Sequence, residues 1–231
     1  MKSDEVAANL IALRKTIAEL EQRHDRTPGS VKLLAVSKTK PWQAVRAAYE
    51  AGQLDFGENH LQDALTKLDA PELRDTEIVW HFIGPVQSNK SRTVAERFAW
   101  VHSLDRERLA QRLNDQRPPH LPPLNVCIQV NLSGEASKSG VSADELSSLA
   151  QSVARLPRLR LRGLMTLPRP SDDAQAQRLP FRTLRELLLA LNRDGFELDT
   201  LSMGMSNDME SAIAEGSTMV RIGTAIFGAR S

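Results

Sequence analysis

From residue 32 to the end of this chain, short apolar runs alternate with helical patterns. The opening differs: Val6, Leu10, Leu13, Ile17 and Leu20 recur at three- and four-residue steps, which predicts an amphipathic helix over 4–22 behind a possible Ser3 cap. "RTPGS" (26–30) then breaks the pattern. Candidate strands follow at 32–37, 54–57, 78–83, 99–102, 124–132, 159–165, 198–202 and 218–222. Between them lie helical stretches near 42–51, 60–69, 89–97, 105–116, 142–155, 174–193 and 206–215, with a short last one near 224–229. Runs such as "LLAV" and "VCIQV" lack polar alternation, as parallel strands covered on both faces do. Eight strand–helix units behind a leading helix predict an α/β fold of the (β/α)₈ barrel type, near its lower size limit. A doubly wound open sheet is the alternative.

No linker, low-complexity tract or repeat divides the sequence, so residues 1–231 are expected to form a single domain. "QRPPHLPPLN" (116–125) is proline-rich but short, and reads as a rigid loop between a helix and a strand. Hydrophobic residues make up 41% and charged residues 26%, a composition of folded soluble proteins. Thirty basic side chains against 29 acidic ones leave a net charge of +1, which disfavours nucleic acid as a partner. "MKSDEVAANL" carries acids and lacks an apolar core, and no stretch has the length of a membrane span; the cytoplasm is the expected compartment. The one cysteine, Cys127, lies in an apolar run and reads as a buried small hydrophobe.

In a barrel of this kind chemistry gathers at the C-terminal ends of the strands, and the residues that look out of place fall there. Lys38 follows strand one, where an ammonium is costly to desolvate unless paired or used. Asn59 follows strand two, His81 sits inside strand three, and "LSMGMSNDM" (201–209) leaves strand seven. Strand eight carries Arg221 and runs into Gly223-Thr224. Ser206 would cap the helix 206–215, and Gly223-Thr224 would open the last helix, so both turns would present backbone N–H groups to an anion. Simple capping accounts equally well for Ser206 alone. A lysine on one side of the mouth and a phosphate cradle on the other suggest pyridoxal 5′-phosphate (PLP), whose aldehyde condenses with an unprotonated amine. Arg221 would then face the pyridine nitrogen, or else form a salt bridge in the barrel floor. Lys40 is the rival of Lys38, but it precedes Pro41, expected in the first turn of a helix, and is expected to be exposed.

"LLAVSKTKP", "FGENHLQDALTK", "WHFIGPVQSNKSR", "NLSGEASKSG", "LRGLMTLP" and "LSMGMSNDMESAIAEGSTMVRIGTAIFGAR" together resemble the pyridoxal phosphate homeostasis proteins, over nearly the whole chain from about residue 31. The resemblance implies the barrel fold of the alanine racemase N-terminal domain, PLP binding without established turnover, and a part in vitamin B6 and amino-acid balance. By motif position, Lys38 looks like the Schiff-base lysine and Arg221 like the partner of the ring nitrogen. Ser206, Gly223 and Thr224 look like phosphate binders, and Asn59, His81 and Met203 like pocket-lining residues. The resemblance also implies a monomer, with PLP-dependent apo-enzymes as recipients.

An arginine at the ring nitrogen keeps its proton, which makes the cofactor a poor electron sink. Racemisation also needs a base on each face of the substrate carbon. The only tyrosine, Tyr49, lies mid-helix where packing is expected, so a carrier is the expected function and a weak racemase the alternative. "GEASKSG" lacks the P-loop order, because Lys138 precedes Gly140; it reads as a polar loop whose Lys138 could attract an anion. The histidines at 24, 60, 81, 102 and 120 show no metal-binding spacing, and His81 and His102, each beside an aromatic or apolar neighbour, read as satisfied core histidines in preference to metal ligands.

Overall fold

A computed structural model of the chain describes residues 3–133 and 139–228. The strands are β1 (Lys32–Val36), β2 (Asp55–Glu58), β3 (Val79–Phe82), β4 (Trp100–Leu104), β5 (Leu124–Gln129), β6 (Leu159–Met165), β7 (Thr200–Ser202) and β8 (Met219–Ile222). They pair in chain order, all parallel, and β8 closes on β1 from Lys32↔Met219 to Ala35↔Ile222. The sheet is therefore a closed barrel, not an open one. The helices are α1 (Ser3–Arg23), α2 (Trp42–Glu50), α3 (Leu61–Leu68), α4 (Ser91–Arg97), α5 (Glu107–Gln116), α6 (Ala143–Ala154), α7 (Ala174–Arg193), α8 (Met209–Ala214) and α9 (Thr224–Phe227).

Parallel pairing needs a crossover after each strand, and the helices that supply it cover the outer face of the barrel. Most of the apolar core lies between these two layers, for example Phe181, Leu184 and Leu188 of α7 with Leu164 and Leu201. A second cluster joins α1 to the closing seam: Val6, Leu10, Leu13, Ile17 and Leu20 pack with Leu33, Ala35, Val220 and Ile222. Burying these five side chains contributes on the order of 10 kcal/mol before the entropy of ordering the helix is counted. The link from α1 to β1 is held by Glu21, whose carboxylate accepts from the N–H of Gly29 (2.9 Å) and of Val31 (2.8 Å).

The element boundaries fall within two residues of the expected ones except at the end of β5 and the start of α8. α2 begins at Trp42 as expected, but Pro41 is in the N-cap position and not in the first turn, because the proline backbone is extended (ψ 163°) and not helical. β5 stops at Gln129; Val130 makes only an isolated bridge to Val141. α8 begins at Met209, three residues late, for a reason that belongs to the site. Inside the barrel the apolar content is small, with Trp100, Cys127 and Met165 forming one cluster. Polar side chains fill much of the rest: His81, His102, Ser202 and Arg221 are all buried. Among the described residues no helix is long and apolar enough to cross a membrane.

Candidate functional site

A cavity of about 1020 Å³ opens where the strands end, at the top of the range of about 300–1,000 Å³ usual for small-molecule sites. Lys38, Lys40, Asn59, Ser206, Arg221 and Thr224 share its wall, with Gly223 beside them.

Lys38 is half-buried, and the chain on either side of it is fixed. Ser37 is buried; its N–H donates to the carbonyl of Gly57 (3.1 Å) and its hydroxyl to Oε1 of Glu58 (2.6 Å). The N–H of Thr39 donates to Oδ2 of Asp63 (2.7 Å), and Thr39 itself has a φ of 63°, a left-handed conformation that a β-branched residue adopts only under constraint. The constraint centres on Lys67, whose ammonium is buried and donates to the Ser37 carbonyl (2.9 Å), to Glu58 (2.7 Å) and to Asp63 (2.9 Å). An ammonium has three donors and all three are used, so Lys67 is charged and structural. Burial pushes the Glu58 carboxyl up to about 7, against the pull of Lys67 and Ser37. Asp63 is pushed up by its partial burial too, but Lys67 and the Thr39 N–H outweigh this and hold it below its ordinary value.

Arg221 projects inward from β8 and is buried. Nη1 donates to the carbonyl and hydroxyl of Ser202, the latter at 2.8 Å, and Nη2 to the carbonyl of Thr166 (2.9 Å). Burial lowers its pKa to about 10, with Asp208 opposing, so it remains a cation at neutral pH. Gly223 follows at a point of close approach: a Cβ there would lie 2.9 Å from the carbonyl oxygen of Val36, across the seam. That glycine lets the turn into α9 reach the cavity wall. On the β7 side, the Asp208 carboxylate accepts from the N–H of Met205 (2.6 Å), and the N–H of Asp208 donates back to the Met205 carbonyl (3.1 Å). This turn consumes residues 205–208, so α8 starts at Met209 with Asp208 in the N-cap position. Ser206 is therefore not a helix cap; it is exposed within the turn and faces the cavity.

Asn59 lines the cavity, and its Oδ1 is buried with no hydrogen-bond partner among the described residues. Two expected lining residues do not reach the wall. His81 is wholly buried inside the barrel, stacked on Trp100 (centroids 5.3 Å apart), because its position in β3 points inward below Ile83 and Gly84, which do line the cavity. Met203 is buried between barrel and helices, on the face opposite the inward Ser202; the chain then turns at Gly204 (φ 98°), which brings Met205 to the wall. Lys40, expected to be exposed, is half-buried on the cavity wall with Lys38. Lys138 lies outside the described residues. Tyr49 is half-buried and packs beside α1, its hydroxyl accepting from the N–H of Glu77 (3.4 Å). Sequence reasoning missed Glu58, Asp63 and Lys67, and also the far wall between Leu167 and Asp172.

Residues 8–231 match the family described as alanine racemase, N-terminal domain. A protein of Pseudomonas aeruginosa named pyridoxal phosphate homeostasis protein is 59% identical over 225 residues, covering 97% of this chain and 96% of that protein. One of the same name from Escherichia coli K12 is 54% identical over 231 residues, covering 98% and 97%. Among solved structures, PipY of Synechococcus elongatus, determined with PLP bound, is 36% identical with a TM-score of 0.84, covering 96% of this chain and all of that one. Alanine racemase from Corynebacterium glutamicum shares the fold (TM-score 0.71, 20% identity), with 62% of its chain covered. With this barrel and these relatives, the chain belongs to the pyridoxal phosphate homeostasis proteins, a branch of the alanine racemase N-terminal-domain family.

Proposed function

We propose that this protein binds PLP in the cavity at the barrel mouth, carries it covalently on Lys38 as a Schiff base, and serves vitamin B6 balance in the cytoplasm as a monomer without robust turnover. The observation that carries this reading is that Lys38, Arg221 and the two turns at 206–207 and 223–225 share one cavity. The residues present fit the group. A phosphate ester needs hydroxyls and backbone donors, which Ser206, Thr224 and the turn at Gly223 offer, and the backbone there approaches the strands closely because residue 223 has no Cβ. The orphaned, buried Oδ1 of Asn59 is a polar atom that a ligand would satisfy. When bound, PLP supplies an aldehyde for an amine and a conjugated ring that can withdraw electrons.

What the chain does with that ring follows from Arg221. A guanidinium donates a hydrogen bond but does not release its proton near neutrality, so a ring nitrogen facing it stays unprotonated and withdraws electrons weakly. Tyr49, the only tyrosine, is spent on packing away from the cavity. Both facts favour holding the cofactor over processing an amino acid, with PLP-dependent apo-enzymes as recipients.

The purified protein should absorb in the violet. Borohydride should fix the cofactor to a peptide carrying Lys38, and Lys38→Ala should be folded and colourless. A label on Lys40 instead would overturn the Lys38 assignment, and a wild-type protein that takes up no PLP would overturn the binding reading. Rapid Cα deuterium exchange of L-alanine or L-serine would overturn the absence of turnover. Transfer to an apo-enzyme that survives an aldehyde trap is the result expected of direct delivery.

A further inference from the structure

A file of polar side chains crosses the barrel interior from the N-terminal ends of the strands to the cavity. Asp55, the first residue of β2, has Oδ1 2.9 Å from Nε2 of His81. Nδ1 of His81 is 2.9 Å from Nε2 of His102, and Nδ1 of His102 is 2.8 Å from Oγ of Ser202. That hydroxyl in turn lies 2.8 Å from Nη1 of Arg221. Both histidines and Ser202 are fully buried.

The two ends decide where every hydrogen sits. A guanidinium can only donate, so the Ser202 oxygen accepts from Arg221 and keeps its own hydrogen available for His102. A carboxylate can only accept, so His81 carries a hydrogen on Nε2. With both rings neutral, Nδ1 of His81 is an acceptor, His102 donates to it from Nε2, and Nδ1 of His102 accepts from Ser202. The carboxylate end fixes this arrangement, the guanidinium end accommodates it, and each hydrogen is used once. Burial favours neutral rings: it pushes both histidines down, His102 the further, with His81 and Arg221 adding to the effect there. Every dipole in the file then turns its negative end towards Arg221. That matters because among the described residues no carboxylate forms an ion pair with Arg221, and a buried cation without such help is costly.

We infer that Asp55, His81, His102 and Ser202 form a one-way hydrogen-bond chain that positions Arg221, with both imidazoles fixed as neutral Nε2–H tautomers and the Asp55 carboxylate as the distant counter-charge. The inference rests on the proposed function only in giving Arg221 a ligand to face.

The test is a two-bond ¹H–¹⁵N correlation spectrum of the full-length protein, labelled in the histidine rings, at neutral pH with and without added PLP. Both rings should show single neutral Nε2–H patterns; a doubly protonated ring or an Nδ1–H pattern at either residue would overturn the chain. Asp55→Leu removes the terminal acceptor and should scramble the tautomers of both rings, whereas Asp55→Asn, whose carbonyl still accepts from His81, should restore them. Should the leucine variant fail to fold, Ser202→Ala breaks the other end and should disturb His102 first. Each break should weaken PLP binding roughly two- to tenfold, the range of one hydrogen bond. Unchanged rings and unchanged PLP affinity in Ser202→Ala would reduce the file to inert filling and sink the inference. Expected tautomers in a wild-type protein that ignores PLP would instead remove the proposed function and leave the chain standing.

Discussion

Lys67 joins three segments through one nitrogen: the end of β1, the end of β2 and the first turn of α3. Replacing it with methionine leaves a similar volume but strands Glu58 and Asp63. Urea unfolding of Lys67→Met should show a loss of about 3–5 kcal/mol, the usual cost of breaking a buried pair from one side. Glu58 adds a pH dependence whose sign can be worked out. Its folded value, raised to about 7 from an ordinary 4.5, means that the folded chain holds this proton longer than the unfolded one. Its contribution is complete below about 4.5 and is lost as pH rises through about 7, a difference on the order of 3 kcal/mol. Glu58→Gln should flatten that part of the stability–pH curve; an equally steep curve in the variant would assign the slope elsewhere. Lys38 was legible in the sequence because a lysine leaving an apolar run is costly. Lys67 was not, because Asp63 and Lys67 four apart on a helix read as an ordinary surface pair, and only the packing of α3 back onto the end of β2 brings Glu58 to them. His81 and Met203 misled for a related reason: a motif gives position along a strand, while inward or outward direction at its end depends on the turn that follows.

Between elements, the contacts that matter most are backbone to backbone. Gly84, just past β3, lies so close to the Asn59 carbonyl that an added Cβ would collide with it. Gly84→Ala should push apart the ends of β2 and β3, and thermal unfolding should register a loss of several kcal/mol, above the roughly 1 kcal/mol of an average substitution. A milder effect is expected at the start of α6, where Ser142 and Glu145 exchange side-chain and backbone bonds in a capping box. Ser142→Ala should cost about 1 kcal/mol by the same measurement. All eight strands and the connecting helices were readable from apolar runs and helical spacing, since both patterns report the burial each element meets in the barrel. The start of α8 was not. Ser206 is as good a cap as Asp208 by residue type, and the choice fell to the bond between Asp208 and the Met205 N–H, which spacing does not encode.

For the molecule as a whole, closure of β8 on β1 is the step that makes the cavity, and α1 lies across that seam with α2, α8 and α9. Leu10 is fully buried there, so Leu10→Ala should lower stability by about 2–5 kcal/mol while leaving the wall residues in place. The interior of the barrel has a different composition from the layer outside it, with rings, hydroxyls and a guanidinium in place of branched aliphatics. Cys127 sits among them, wholly buried, and burial pushes its thiol up to about 12. Thiolate is the form that reacts with alkylating dyes, and this one is both scarce and out of reach. The natural chain thus offers a silent background for site-directed fluorescence: a single cysteine introduced at the exposed Met205 would be the sole labelling point, and a dye there would report arrival and departure of a guest without any other change to the protein.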